Sequence, residues 1–270
     1  MNFTSHTPRF VTGLVLLTFV VLAVVLGGLL KFFIALVLST LSLIEFYALF
    51  QEYPLCRTTT WFALVANACV LTAAGLGQPI WTLGILFAVF WLVNFHFLFA
   101  FATNPGHIDG ASFRDVGLVL TGLFYITGGL HVFLYFTNYE TILVLAACIA
   151  TDVGAYYGGS CFGKGHIWQV VSPGKTWAGA VSGLVCCLSA TFTVGYVWGR
   201  TNPYDFLILG LFLYLAAIYG DFFESALKRA LNVKDTGALL PGHGGVLDRI
   251  DSTLLAGLFY AAVRTQHIYF

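Results

Sequence analysis

Nine of the chain's twenty-four Lys, Arg, Asp and Glu residues fall between Asp221 and Asp251. On a helix, Asp221, Glu224, Ser225 and Lys228 stand at i, i+3, i+4 and i+7, which is one face. Asp248 and Asp251 are also three apart, so a helix beginning near Leu247 aims both carboxylates the same way. Two acidic faces on adjacent helices can hold a divalent cation, and carboxylate oxygens without a Cys or His cluster suit Mg²⁺. Between those faces lies "LLPGHGGVL", where His243, Gly244 and Gly245 form a segment whose backbone N–H groups can approach a ligand closely. Lys228, Arg229, Lys234 and Arg249 surround it with charge of the sign that neutralises phosphates. Alone, "GHGG" is equally a plain loop; with the cations and carboxylates it reads as part of a phosphate and metal site.

A second polar loop, "GGSCFGKGHIWQVVSPGKTWAG", repeats the theme. Gly174, Lys175 and Thr176 match the end of a P-loop, but Gln169 stands where the first glycine of that motif belongs, so this is a different device. Ser172 or Thr176 can cap the helix that follows, which brings Lys175 to its N-terminus, a natural place for a phosphate. The competing reading is a basic loop that only sets membrane topology.

The elements that must position these residues are membrane helices. The chain is 59% hydrophobic and 9% charged, with a mean hydropathy of +0.88; soluble domains carry about 25% charged residues. With no net charge, there is no basic surface for nucleic acid. Apolar runs near 10–30, 32–50, 61–77, 80–102, 115–136, 139–159, 176–198, 204–224 and 250–268 are each of a length that crosses a bilayer. Only helices satisfy the backbone there, so the fold class is an all-α polytopic membrane protein with about nine transmembrane helices. The first run is too long for a signal peptide and is read as retained. The chain is treated as a single integral membrane domain, 1–270, with N-terminal helices over 1–136 and catalytic helices and loops over 137–270. Its six cysteines form no CxxC pair and read as small buried hydrophobes.

Lys and Arg counts orient the chain. With the N-terminus cytoplasmic, the inside segments hold Arg9, Arg57, Arg114, Lys164, Lys175, Lys228, Arg229, Lys234 and Arg249, and the outside segments hold Lys31, Arg200 and Arg264. Both polar loops then face the cytoplasm, where nucleotides are. An acidic group at mid-bilayer costs about 2.5–3.5 kcal/mol on insertion scales. Asp152, inside the sixth run, therefore needs a partner, a wet cavity or a reach to interfacial water. Glu45, isolated beside Phe46 and Tyr47, reads as an interfacial carboxylate.

The stretch "SALKRALNVKDTGALLPGHGGVLDRID", Ser225 to Asp251, resembles the signature of phosphatidate cytidylyltransferases, also called CDP-diacylglycerol synthases. The match covers the serine, the Lys-Arg pair, Lys234 with Asp235, the small residue at Gly237, the His-Gly-Gly triplet and the final Asp-Arg-x-Asp. "DVGAYYGGSCFGK" and "SPGKTWAG" are similar to two further family motifs, so the resemblance covers most of 150–252. Val153 and Ala178 depart from it, standing where relatives carry Ser or Thr, and Glu or Gln.

The resemblance implies that CTP and phosphatidate give CDP-diacylglycerol and pyrophosphate with Mg²⁺, at a cell membrane and with the active site facing the cytoplasm. With that reaction, Asp221 and Asp248 are expected as metal ligands, and Asp251 as a further metal ligand or a group that orients a basic residue. Lys228, Arg229, Lys234, Arg249 and Lys175 would contact phosphates, and His243 would position a phosphate or donate to the leaving pyrophosphate. Asp152 and Tyr156 would shape the site, with Ser225, Asp235, Gly244 and Gly245 among its substrate contacts. A homodimer is likewise implied by resemblance alone. Other readings are another CTP-dependent lipid enzyme, such as a polyprenol kinase or an ether-lipid cytidylyltransferase, and an ion-coupled transporter using Asp152 and Asp221. A non-catalytic scaffold gives no reason to cluster the charges.

Overall fold

The computed structural model describes residues 18, 21–50, 55, 57–103, 113–240 and 244–270. Among the described residues the regular elements are helices, and the extended pairings are two isolated bridges, His166 with Thr176 and Leu240 with Gly244. Among the described residues, seven helices are long and apolar enough to cross a membrane by length and composition. They are α1 (Gly28–Ala48), α2 (Arg57–Gly75), α3 (Pro79–Thr103), α4 (Phe113–Tyr135), α5 (Asn138–Phe162), α6 (Trp177–Trp198) and α7 (Asp205–Ala230). The expected run 10–30 lies largely outside the described residues. Its described part is helical over 21–26, and Gly27, with φ of 55°, separates that segment from α1, whose first residue Gly28 has φ 49°. The expected run 250–268 is α8 (Leu247–Arg264), an 18-residue helix that carries Asp248, Arg249, Asp251 and Arg264 and is not among the seven.

The chain divides into two compact units. The first comprises Met1–Tyr135 and Asp235–Leu247. In α1 the buried positions Ala35, Ser39, Ser42, Leu43 and Phe46 recur at helical spacing, as do Thr59, Ala63, Ala66, Val70 and Ala74 in α2. Polar glue joins them: Asn67 donates to Thr40 at 3.2 Å and accepts from Thr127 of α4 at 2.8 Å. Helix α4 contains a π-turn over Leu123–Thr127. Just before it, the Tyr47 hydroxyl donates to the Val119 carbonyl, and a side chain at Gly122 would meet that phenol at 2.6 Å. Helix α3 starts on Pro79, a residue suited to a first helical position, and buries only Thr82, Val89 and Val93. Its remaining surface, with Ile80, Trp81, Phe87, Phe95 and Phe99 exposed, is of the kind that faces lipid.

The second unit comprises Phe136–Lys234 and Asp248–Phe270. A capping box starts α5: Glu140 N donates to Thr137 Oγ1 at 3.3 Å, and Thr137 N donates to Glu140 Oε2 at 2.7 Å. The other Glu140 oxygen accepts from the Tyr260 hydroxyl and pairs with Arg264, tying α8 to the start of α5. Helices α5 and α6 approach closely through small residues. A side chain at Gly154 or Gly158 would collide with Cys186 or Ser182, and one at Gly179 or Gly183 with the carbonyls of Ala155 or Thr151. Helix α7 ends on Lys228 and Arg229, cations placed to complement its C-terminal dipole, and Asn232 follows with φ 56°.

Candidate active site

The acidic face expected on α7 is present, and α8 begins at Leu247 as its spacing requires. Lys228 joins the two helices: its Nζ donates to Glu224 Oε2 and to Asp248 Oδ1, both at 2.7 Å. These groups are well shielded, with side-chain exposures of 12% for Lys228, 1% for Glu224 and 6% for Asp248. The close approach depends on Gly220, where a side chain would meet the Asp251 carbonyl at 2.6 Å. Asp251 is buried and accepts from the Ser252 N–H at 2.7 Å. It lies in the second turn of α8, outside the seven spans. Burial pushes its carboxyl well above the ordinary carboxylate range, and the Glu224 and Asp221 carboxylates push the same way.

One turn earlier on α7, Asp221 pairs with Lys175 at 2.5 Å and accepts from Ser225 Oγ at 3.3 Å. Lys175 reaches α7 because its loop is braced at both ends. Ile167 N donates to the Lys175 carbonyl and Trp177 N to the Gly165 carbonyl, both at 3.0 Å, while Thr176 rather than Ser172 caps α6 by accepting from Gly179 N. The Lys175 ammonium also lies 4.0 Å above the Phe222 ring, and Trp168 packs on the same ring at 4.8 Å. Asp152 is exposed on α5, within the electrostatic reach of Asp221, Lys175 and Arg249.

This neighbourhood gathers Asp152, Asp221, Glu224, Asp248 and Asp251 against Lys175, Lys228 and Arg249, an excess of acid that runs from the buried Glu224 and Asp251 to the exposed Asp152 and Arg249. Glu224 Oε1 is buried without a hydrogen-bond partner. Among the described residues no three acidic, His or Cys side chains converge on a common metal position. Surplus carboxylate and an unsatisfied oxygen nevertheless fit Mg²⁺, which usually binds through one or two carboxylates and completes its shell with water and substrate phosphate.

The remaining expected site residues are placed as follows. Tyr156 is exposed on α5, Arg229 and Lys234 are exposed at and beyond the end of α7, and Arg249 is exposed on α8. Arg229 donates to the Val233 carbonyl at 3.4 Å. Asp235, Gly244 and Gly245 belong to the first unit; Gly244 has φ 82°, where glycine is the natural residue. His243 lies outside the described residues. Two acidic residues with no role in the sequence reading stand out. Glu224, present on the α7 face, turns out to share Lys228. Glu45, taken as an isolated interfacial carboxylate, is buried and accepts from Val246 N at 3.0 Å and Leu247 N at 2.9 Å. The spacing from Lys228 pointed to the first; no local signal pointed to the second.

Residues 7–266 match the Cytidylyltransferase family, which is nearly the whole chain. The chain belongs to the cytidylyltransferase family. Its relatives include proteins named phosphatidate cytidylyltransferase. That of Bacillus subtilis (strain 168) is 40% identical over 150 residues, 53% of this chain and 56% of the relative. That of Haemophilus influenzae is 37% identical over 181 residues, 64% of this chain and 59% of the relative. Phosphatidate cytidylyltransferase 4, chloroplastic, of Arabidopsis thaliana is 38% identical over 128 residues, 47% of this chain and 32% of the relative. The chain thus spans about a third to three fifths of these curated relatives. Within this cytidylyltransferase the two departures from the family pattern lie on the α5 and α6 helices: Val153 is exposed, and the Ala178 carbonyl accepts from Ser182 Oγ at 2.8 Å.

Proposed function

We propose that the chain is a phosphatidate cytidylyltransferase that transfers the cytidylyl group of CTP to phosphatidate and releases pyrophosphate. The observation that carries this reading is the buried cluster on α7 and α8, with Lys228 between Glu224 and Asp248 and Lys175 on Asp221. A phosphate oxygen of phosphatidate forms a bond to the α-phosphorus of CTP, and the bond from that phosphorus to the bridging oxygen of the β-phosphate breaks. The nucleophile is already anionic near neutral pH, so neither a serine or cysteine nucleophile nor a strong general base is needed. What remains is alignment and charge neutralisation.

Asp221 and Asp248 would hold Mg²⁺, with Asp251 as a further ligand or an orienting group. The ion, when bound, supplies positive charge to the triphosphate. Lys175 and Lys228 sit on those same carboxylates. With those carboxylates engaged by the ion, the two ammonium groups would be available to phosphate oxygens. Asp152, exposed on α5 within electrostatic reach of Asp221, Lys175 and Arg249, would shape the site.

Topology supports this use. Helices α6 and α7 lie between the 163–176 and 231–246 loops, so if both cross, those loops emerge on one side of the membrane. Lys164, Lys175, Lys228, Arg229, Lys234 and Arg249 cluster at that side, which the positive-inside rule makes cytoplasmic. With the 10–30 run also crossing, the N-terminus shares that side. A lipid phosphate then meets a soluble nucleotide at the cytoplasmic interface of a cell membrane while its acyl chains stay in lipid.

The test is purified protein with labelled CTP, Mg²⁺ and, in parallel, phosphatidate, a polyprenol or an ether-linked lipid phosphate. Lipid-soluble cytidine with phosphatidate, abolished by EDTA, is expected. Label in the lipid phase only with one of the other two acceptors moves the assignment to that enzyme class, and untouched CTP with a folded protein counts against the reading.

A further inference from the structure

We propose that Glu45 is a positioning residue for the signature loop, and that Gly237 is glycine because the Glu45 carboxylate fills the space its side chain would need. A helix leaves its first N–H groups without intrahelical partners, and a side-chain acceptor usually comes from the residue just before it. Here the acceptor comes from α1. Glu45 Oε1 takes the Val246 N–H at 3.0 Å and Oε2 takes the Leu247 N–H at 2.9 Å, across some two hundred residues of sequence. The three residues are 8%, 3% and 0% exposed, so the bonds are charge-assisted and shielded from water.

The glycines around this contact make room for it. A side chain at Gly237 would find as its three nearest atoms Glu45 Oε1 at 2.6 Å, Cδ at 2.9 Å and Cγ at 3.1 Å. At Gly245 it would meet Glu45 Oε2 at 2.7 Å, with Thr236 Oγ1 closer still. Neither glycine has a positive φ, in contrast to Gly244. Backbone conformation does not demand glycine at 237 or 245; the Glu45 carboxylate does at 237, and Thr236 Oγ1 together with that carboxylate does at 245. Two glycines of the segment are thereby explained by packing against Glu45 rather than by approach to a ligand. Leu247, which Glu45 holds, is the residue before Asp248 in the chain.

The consequence for turnover rests on the reaction proposed above. The experiment compares wild type, Glu45→Gln, Glu45→Ala, Gly237→Ala and the double variant Gly237→Ala/Glu45→Ala in detergent, measuring kcat, KM for CTP and melting temperature. Gly237→Ala alone should lower kcat by about tenfold or more, yet add less than about twofold in the Glu45→Ala background, because neighbours that share one space do not add. Glu45→Gln, which keeps one acceptor, should fall between wild type and Glu45→Ala in kcat with KM for CTP little changed. A neutral Gly237→Ala, or full additivity in the double variant, overturns the proposal. So does loss of melting temperature and folded yield in Glu45→Gln with kcat of the folded fraction intact, which is a structural role only. If wild type turns over no phosphatidate, the functional reading fails by itself. The same non-additivity, read on the four melting temperatures, then supports or overturns the Glu45 and Gly237 contact.

Discussion

Lys228 is the residue on which the α7 and α8 carboxylates depend. Its ammonium is shared by two shielded acids, and removing it takes that cation from both. Breaking a buried ion pair from one side typically costs about 3–5 kcal/mol, because an uncompensated charge stays behind. Lys228→Met should therefore lower the melting temperature in detergent by several degrees and abolish turnover; an unchanged melting temperature would show that the pairing contributes nothing. The one-face arrangement of Asp221, Glu224, Ser225 and Lys228 was legible from spacing, because it is a property of one helix. That Lys228 also holds Asp248, and that Lys175 meets Asp221, was not, since those contacts arise only when separate elements pack. Glu45 shows the limit most clearly: its partners are amides rather than side chains, so no residue type or spacing marks them.

At the scale of elements, the helices owe their positions to where side chains are missing. The α5 and α6 pair is built on Gly154, Gly158, Gly179 and Gly183, and a single added Cβ at Gly158 would lie 1.9 Å from Ser182 Oγ. Gly158→Leu should force the two helices apart and shift the protein from a monodisperse peak to aggregate in size-exclusion chromatography. Retention of the wild-type profile would show that the crossing tolerates separation. Hydropathy made the seven described spans legible, from 32–50 against α1 through 204–224 against α7, because a stretch long enough to cross lipid must be apolar throughout. Exact ends were less legible. Helix α7 runs on to Ala230 through a charged turn that hydropathy alone excludes, and its identity as helix comes from the Glu224 to Lys228 spacing instead.

For the whole molecule, the proposed reaction requires both polar loops to lie on one side of the membrane. A protein kept with a single cysteine tests this. Lys164→Cys should react with a membrane-impermeant maleimide in inside-out vesicles and be protected in intact cells, whereas Thr201→Cys should show the reverse; equal labelling from one side would contradict the topology. The central claim, that the α7 and α8 carboxylates carry cytidylyl transfer to phosphatidate, is tested most directly by one comparison. Purified wild type and Asp248→Asn are given labelled CTP, phosphatidate and Mg²⁺, and label is followed into the organic phase. Wild type should form lipid-soluble cytidine, and Asp248→Asn should form none while eluting as a folded protein. An Asp248→Asn protein that turns over as wild type does would contradict the account.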